Sequence, residues 1–416
     1  MAGTEIAVIG GGVVGLSVAL RLADAGRDVT LVAPEDAGDG ASSGNAGVIA
    51  DYAVLPVGTP EVLRALPSLL FDRLSPLAIR RSAVVSLLPW LARFAAQSLP
   101  GPARRNARAI AALLAEAAPE WRAQADRIGA RDLLRQRGSL YLYERASEVS
   151  DSTLDWQRSL GVTVERISRD ELGQLEPGLP SDVGVGAAFF PQTMTVADPG
   201  ALMQRLAAAV AGADVVRVPA RVTALEAGAG AVTLRCDDGT ALRAARAVVA
   251  AGAWSRPLAR MAGDRVPLDT ERGYHIEFDM GDQPLTRQMT PVARGFYFCP
   301  MAGRLRVAGT VELGGLTAPP SPHRVRVLEE GARAVLPDLP EVTRHWMGFR
   351  PSLPDSVPVI GARRGGDRVL YAFGHGHLGL TLAPVTARII ADLVAGRDPG
   401  LALAPYAPGR FWNTPF

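Results

Sequence analysis

The chain opens with Glu5-Ile6-Ala7-Val8-Ile9-Gly10-Gly11-Gly12-Val13-Val14-Gly15. An apolar segment follows from Leu16 to Ala25, then Gly26 and Val29-Thr30-Leu31-Val32. Ile6 to Ile9 is a short run of β-formers suited to a strand buried on both faces. Leu16 to Ala25 reads as a helix stopped by Gly26, and Val29 to Val32 as a second strand. In that strand–helix–strand setting the G-x-G-x-x-G spacing of Gly10, Gly12 and Gly15 carries meaning. The first glycine allows a tight turn, the second lets backbone approach a pyrophosphate, and the third lets helix and strand pack closely. At Val13 and Val14 the helix start offers free N–H groups and a positive dipole end to phosphates. The stretch predicts a dinucleotide site.

The acid that holds an adenosine ribose belongs at the end of the second strand. Ala33 stands there, with Glu35 and Asp36 just beyond. Either Glu35 reaches back to the ribose, or water and backbone take that role. Next comes a loop of small polar residues over 38–47, containing Ser42, Ser43, Gly44, Asn45, Ala46 and Gly47. Beside a dinucleotide site it reads as a clamp that allows close backbone approach, the alternative being a flexible linker.

At 416 residues the chain has room for two domains, or for one with an inserted lobe. Hydrophobic content of 48% and charged content of 21% fit a globular protein with a full core. Basic and acidic residues number 44 and 42, a formal charge of +2 that leaves no nucleic-acid footprint. Two cysteines, Cys236 and Cys299, cannot build a disulfide framework, and no Cys/His cluster suggests a metal. The N-terminal apolar run is the first strand rather than a signal peptide, so the expected location is cytoplasmic. No uninterrupted apolar run reaches the roughly 18 residues of a spanning helix. Residues 62–99 are nonetheless rich in Leu, Ala and Pro, with Trp90 and Phe94 among Arg80, Arg81 and Arg93. They read either as a helical layer on the protein's own core or as a segment lying on a membrane surface.

Further along, 104–128 is helical by its three- and four-residue apolar spacing, 138–143 reads as a strand, and 148–160 as a helix closed by Gly161. Residues 183–190 are another strand. Asp198-Pro199 caps a helix over 201–211. Residues 215–225 return to strand, and 231–236 pairs with 241–246 as a hairpin across Asp238-Gly239. A buried strand then breaks into the small-residue turn Ala250-Ala251-Gly252-Ala253-Trp254-Ser255, a second close-approach site. Alternating strands at 273–280, 295–300 and 305–311 suggest a separate antiparallel sheet. Gly374-His375-Gly376-His377 precedes a last helix over 378–395. The fold class is α/β: a Rossmann-like, glutathione-reductase-type domain interleaved with an antiparallel-sheet substrate domain. The first is expected over 1–50, part of 140–260 and 345–416. The second is expected over 261–344 with strands near 138–143 and 183–196, and 51–139 forms a helical segment.

This pattern resembles the D-amino-acid-oxidase-type flavoproteins nearly end to end. The likeness rests on Gly10–Gly15, Ser43-Gly44-Asn45-Ala46-Gly47, Asp198-Pro199, the Ala250–Ser255 turn and the final helix. It rests also on Phe349-Arg350-Pro351-Ser352-Leu353-Pro354-Asp355 and Gly374-His375-Gly376-His377-Leu378-Gly379-Leu380-Thr381. Asn45-Ala46-Gly47 and the 62–99 region look most like the bacterial D-amino acid dehydrogenase and D-hydroxyproline dehydrogenase branch, where the latter region is linked to membrane contact. The resemblance implies FAD, held without a covalent bond, since neither cysteine lies where some relatives attach it. It places Arg221, Val222, Ala251, Gly252, Trp254 and the Gly374–Thr381 turn among the cofactor contacts. The isoalloxazine is expected between the lobes, with the Gly374–Thr381 turn at its pyrimidine end.

The implied reaction moves the Cα hydrogen of an amino acid to flavin N5 as a hydride while the amine lone pair forms C=N. The imino acid then hydrolyses. Such transfer needs Cα roughly 3–3.5 Å from N5, and an arginine fork suits the task of aiming the carboxylate. Arg350 is the first candidate, Arg272 and Arg294 are weaker ones. Tyr274 and His275 open a strand expected to line the pocket, with Tyr274 as a roof or hydrogen-bond donor. His375 and His377 are placed at the flavin edge. The reading is an enzyme oxidising D-amino acids, D-proline or cis-4-hydroxy-D-proline among them, and passing electrons to a quinone or carrier protein. The alternatives are a glycine- or sarcosine-type oxidase using O2, and a non-catalytic FAD-binding subunit of a larger complex.

Overall fold

The computed structural model describes residues 2–34, 40–71 and 75–411. Two large sheets dominate, one of eight strands and one of nine, with a further sheet of three.

The eight-stranded sheet grows from the opening stretch. Ala2–Ile9 lies parallel to Val29–Val32 on one side and to Ala241–Val249 on the other, and Ala241–Val249 pairs in parallel with Gly366–Phe373. Val216–Val218 extends the sheet beyond Val29–Val32. Ile6 to Ile9 and all of Val29–Val32 are buried, the mark of parallel strands covered on both faces. Helices Val13–Asp24 and Gly379–Val394 pack together over one face, and the Trp121 indole N–H donates to the Leu380 carbonyl at 2.9 Å. The strand–turn–helix junction requires its glycines. Gly10 sits at φ +120°, where a Cβ would stand 2.4 Å from the Ala250 carbonyl oxygen. A Cβ on Gly15 would stand 1.9 Å from the Gly10 carbonyl oxygen.

Asp269–Asp279, Arg304–Leu313 and Phe296–Met301 form the antiparallel heart of the nine-stranded sheet, as their alternation predicts. Ser139–Tyr143 and Gly186–Phe190 join it. Two expectations change. Arg344–Ser352, assigned from its sequence motif to the nucleotide-binding unit, pairs along Asp269–Asp279 as the edge strand of the nine-stranded sheet. The lobes therefore exchange after Ser352 rather than at 345. Met194–Val196 belongs to the three-stranded sheet, between Val48–Ile49 and Leu134–Gln136.

The 51–139 region is helical over Pro60–Phe71, Val84–Gln97, Pro100–Leu114 and Ala117–Arg127. Its short strand Leu77–Ile79 runs parallel to Arg304–Leu313. Helix Val84–Gln97 turns Leu87, Trp90 and Phe94 inward, yet Val85 is 78% and Leu88 55% exposed. Gly376–Val394 is the one described helix long and apolar enough to cross a membrane, and 72% of it is buried inside the protein. It is a core helix. Asp198 caps Pro199–Ala211 as its sequence predicts, its carboxylate accepting from the Ala201 N–H at 3.0 Å.

Candidate active site

Three turns gather at one edge of the eight-stranded sheet. Ala2–Ile9, Ala241–Val249 and Gly366–Phe373 are adjacent parallel strands. Their C-terminal ends open into Gly10–Gly15, the Gly252–Trp254 turn and the Gly374–Leu378 turn. Ligands of parallel α/β sheets bind at this edge. Helix Val13–Asp24 starts there with Gly12 as N-cap, no side-chain cap on that residue and no acid in its first turn. The Val13 N–H, beside Val14, is met by the Ser42 hydroxyl at 2.9 Å. Helix Gly379–Val394 begins in the same way, without a side-chain cap or an early acid. Two positive helix ends thus face one edge with no acid in their own first turns, which fits a dinucleotide. Arg221 and Val222 follow the end of Val216–Val218, at the end of the neighbouring parallel strand. The second strand ends at buried Ala33, whose N–H goes to the Val218 carbonyl. Glu35 lies outside the described residues.

The loop over 40–47 is braced from within and from the other lobe. Asn45 spans it, accepting from the Gly47 N–H at 2.6 Å and donating to the Ser42 carbonyl. Arg306 of the nine-stranded sheet donates to the Ser43 and Asn45 carbonyls, and His275 bonds the Gly44 carbonyl at 2.9 Å. Trp346 stacks on His275 with ring centres 5.0 Å apart and lies so close to Gly44 that a Cβ there would meet its indole at 2.3 Å. Burial, with Arg306 adding to it, pushes the His275 pKa down to about 4. Its ring is therefore neutral near neutral pH, with the proton on Nδ1 facing the Gly44 carbonyl. Burial would raise the Glu277 pKa, but Arg306 and Arg304 outweigh it and hold the carboxylate ionised. Arg306 is 2.7 Å and Arg304 3.0 Å from that carboxylate. Ala46 packs beside Val48, and the Thr381 hydroxyl accepts from the Ala50 N–H at 3.0 Å, tying the loop's exit to the last helix.

Strand parity sorts the remaining candidates, because successive side chains point to opposite faces. On Asp269–Asp279, Glu271, Gly273, His275 and Glu277 face the dinucleotide edge, cross-strand from Arg350, Gly348, Trp346 and Arg344. Arg350 lies against Gly273 and donates to the Thr310 carbonyl at 2.9 Å. Thr310 holds φ +57°, a strained conformation for a β-branched residue, beside a register shift between Arg272 and Tyr274. Among the described residues no carboxylate stands within ion-pair distance of Arg350. Burial lowers its pKa, and Glu271 opposes that shift from further off. Tyr297, on the same face, has its pKa raised by burial against the influence of Arg350. Tyr141 follows in the same direction, its ring 5.3 Å edge-to-face from Tyr52. His377 is solvent-accessible, yet desolvation and Arg350 depress its pKa to about 4. Tyr297 and His377 lie within electrostatic reach of Arg350, and Tyr141 within reach of Tyr297, so the four gather as the candidate substrate cleft.

The other face of the strand corrects three expectations. Tyr274 is 2% exposed in the lobe's core, its hydroxyl on Glu312 and accepting from the Ser321 N–H. Arg272 is fully buried, 3.1 Å from Glu312. Arg294 lies beyond the sheet, clamped by Glu144 at 2.6 Å. All three turn to partners inside the lobe rather than to the cofactor edge: Tyr274 and Arg272 to Glu312, and Arg294 to Glu144, although the buried Arg272 Nε has no hydrogen-bond partner. His375 is buried against the Thr386 hydroxyl at 3.0 Å, with its pKa pushed to about 3 by desolvation. It supports the turn rather than facing the cleft. Trp254 is 45% exposed and meets Phe349 edge-to-face at 5.7 Å. Leu378 and Leu380 are core residues. Tyr141 was not singled out from sequence: its strand was legible, but which face meets the cleft depends on register. Tyr297 fell within the strand expected over 295–300, without a role of its own.

Several known proteins resemble this chain over almost its whole length. A protein of Bradyrhizobium diazoefficiens named D-amino-acid oxidase is 34% identical, covering 98% of this chain and 99% of its own. One of Ralstonia nicotianae named D-amino acid dehydrogenase 2 is 33% identical over 98% of this chain and all of its own length. Among solved structures, glycine oxidase from Geobacillus kaustophilus matches with a TM-score of 0.77 and 24% identity, covering 99% of both chains. That likeness fixes the two-lobed fold. Residues 5–393 match the model of the FAD dependent oxidoreductases, and with these relatives the chain belongs to that FAD-binding enzyme family.

Proposed function

We propose that this enzyme oxidises free D-amino acids, holding the substrate carboxylate on Arg350 in the cleft between the two sheets. The observation that carries the reading is Arg350 itself: an enclosed guanidinium bonded to the Thr310 carbonyl, with no carboxylate within ion-pair distance among the described residues and Glu271 acting only from further off. Desolvating that charge costs several kcal/mol unless an anion joins it, and a carboxylate matches its fork. Bound FAD would supply the two-electron acceptor that takes the Cα hydrogen as a hydride at N5. Tyr297 stands beside Arg350 to share the carboxylate, while Thr310 fixes the fork from behind. His377, neutral at ordinary pH, adds no second cation to repel the substrate ammonium. The amine must be neutral for its lone pair to form C=N; its proton leaves to water in the cleft, and no wall residue is needed as a base. Water then hydrolyses the imino acid to a 2-oxo acid and ammonia. Tyr297 and Tyr141, the latter backed by the buried rings of Tyr52 and Phe190, form aromatic walls, which favour apolar or cyclic substrates such as D-proline and cis-4-hydroxy-D-proline.

We assign the electrons to a quinone or carrier, in keeping with the relatives named dehydrogenase. The relative named D-amino-acid oxidase supports O2 as a second reading. The surface of Val84–Gln97 supports peripheral membrane contact on the cytoplasmic side. Val85, Leu88 and Leu99 are exposed and apolar, with Arg81 beside them for anionic headgroups.

Anaerobic addition of D- and L-amino acids, D-prolines, glycine and sarcosine to the yellow holoenzyme tests the substrate class. Bleaching by D-amino acids or D-prolines alone is the expected result, and bleaching only by glycine or sarcosine would refute it. Slow recolouring in air marks a dehydrogenase, fast recolouring an oxidase.

A further inference from the structure

A second concave site lies away from the cleft. Its volume is about 390 Å³, and its lining includes Arg93, Arg256, Arg260, Arg265, Asp264 and Phe411. Arg256 and Arg260 stand one turn apart on Ser255–Met261, Arg265 follows that helix, and Arg93 comes from Val84–Gln97. Like charges at that helical spacing repel, so the sequence draws cations together where an unliganded surface gains nothing from them. Among the described residues, the counter-charge facing Arg256, Arg260 and Arg265 is small. Arg256 reaches Asp269 only at 4.0 Å and spends one N–H on the Leu268 carbonyl. Arg260 and Arg265 are exposed, and among the described residues neither side chain has a hydrogen bond or ion pair. Asp264 is 1% exposed, with one oxygen occupied by the Tyr371 hydroxyl at 2.9 Å and the Arg364 N–H at 3.2 Å. Arg364 lies 3.9 Å from its other oxygen. One Asp264 oxygen is thus held by the sheet and the other is buried without a hydrogen bond, and a single carboxylate cannot neutralise the three guanidiniums of Arg256, Arg260 and Arg265.

Guanidinium forks pair two N–H groups with two oxygens of one anion, and several around one concavity suit a multiply charged tetrahedral group better than a single carboxylate. We propose that this cavity binds a phosphate group, either free in solution or carried by an anionic lipid. The site is separate from the substrate cleft and does not depend on which amino acid is oxidised. The helix that supplies Arg256 and Arg260 begins where the Gly252–Trp254 turn ends. An occupant would therefore brace the element leading out of the cofactor edge.

The test uses the holoenzyme at constant ionic strength. Pyrophosphate and inorganic phosphate are titrated by calorimetry, and flotation is measured with phosphatidylglycerol against phosphatidylcholine vesicles. The site variant is Arg260→Gln/Arg265→Gln. A charge-matched control, Arg169→Gln/Arg326→Gln, alters exposed arginines that do not line the cavity. Saturable pyrophosphate binding that weakens about tenfold or more in the site variant, but not in the control, supports a soluble ligand. Capture by phosphatidylglycerol vesicles that is lost in the site variant alone, with no free-anion binding, supports the headgroup. Flavin bleaching by substrate should be unchanged in both variants. No binding in either arm, or a site variant that behaves like the control, overturns the proposal.

Discussion

Arg350 shows how one side chain divides structure from chemistry. Arg272, on the opposite face of the sheet, spends its charge on Glu312, whereas Arg350 has no carboxylate within ion-pair distance among the described residues. Arg350→Ala should raise KM and lower kcat/KM by the equivalent of roughly 2–5 kcal/mol, the cost of stranding one partner of a buried charge pair. Arg350→Lys should recover little, because an ammonium cannot form the fork. Steady-state kinetics on flavin-loaded protein read both, and unchanged values would remove Arg350 from the site. His275 makes a different statement. Its native pKa of about 4 lies below the ordinary value, so the unfolded chain binds a proton first as pH falls. Stability should therefore drop between about pH 6.5 and 4, by up to roughly 3 kcal/mol from this residue. Denaturant unfolding at both ends of that window, with His275→Gln for comparison, should show a shallower loss in the variant. The sequence motif pointed to Arg350, and the strand register puts it on the face that looks to the dinucleotide edge. Tyr274 was misplaced because a tyrosine in a strand does not declare its face: one residue along, His275 has the site and Tyr274 the core.

At the scale of elements, the loop over 40–47 is the piece most dependent on its neighbours. Asn45 and Gly47 shape it locally, but its carbonyls are held by Arg306 and His275 from two strands more than two hundred residues later. Arg306→Leu should weaken FAD retention about tenfold or more, seen as released flavin fluorescence on dilution. Arg306→Lys keeps the charge toward Glu277 but cannot bridge two carbonyls, and should restore only part of the affinity. Flavin retention equal to the parent in both would show that the brace is incidental. The opening strand, turn and helix were readable because their signals are local: glycine spacing, an apolar run, a stop. The helix cap at Asp198 was readable for the same reason. The assignment of Arg344–Ser352 was not, since its motif describes what it touches while its pairing depends on Asp269–Asp279.

At the scale of the molecule, the two sheets meet where Arg344–Ser352 contacts both the Gly252–Trp254 and Gly376–Leu378 turns. A dinucleotide bound at that edge joins the native state and has no comparable partner in the unfolded chain. Excess FAD should raise the thermal midpoint in a concentration-dependent way, by about 4 kcal/mol of added stability at a thousandfold over Kd. Removing it should lower the midpoint, and an FAD-independent midpoint would contradict the site. Fold class was legible because the chain's visits to each lobe leave distinct periodicities. The cleft was only partly so, because it is formed by side chains from both ends of the sequence. That arrangement governs the order of assembly during synthesis. Gly366–Phe373 and the apolar Gly379–Val394, which complete the layer of Ala2–Ile9 and Val13–Asp24, are made more than three hundred residues after them. Until they emerge, the nascent chain carries an unfinished nucleotide edge and uncovered apolar surface, the condition in which aggregation competes with folding.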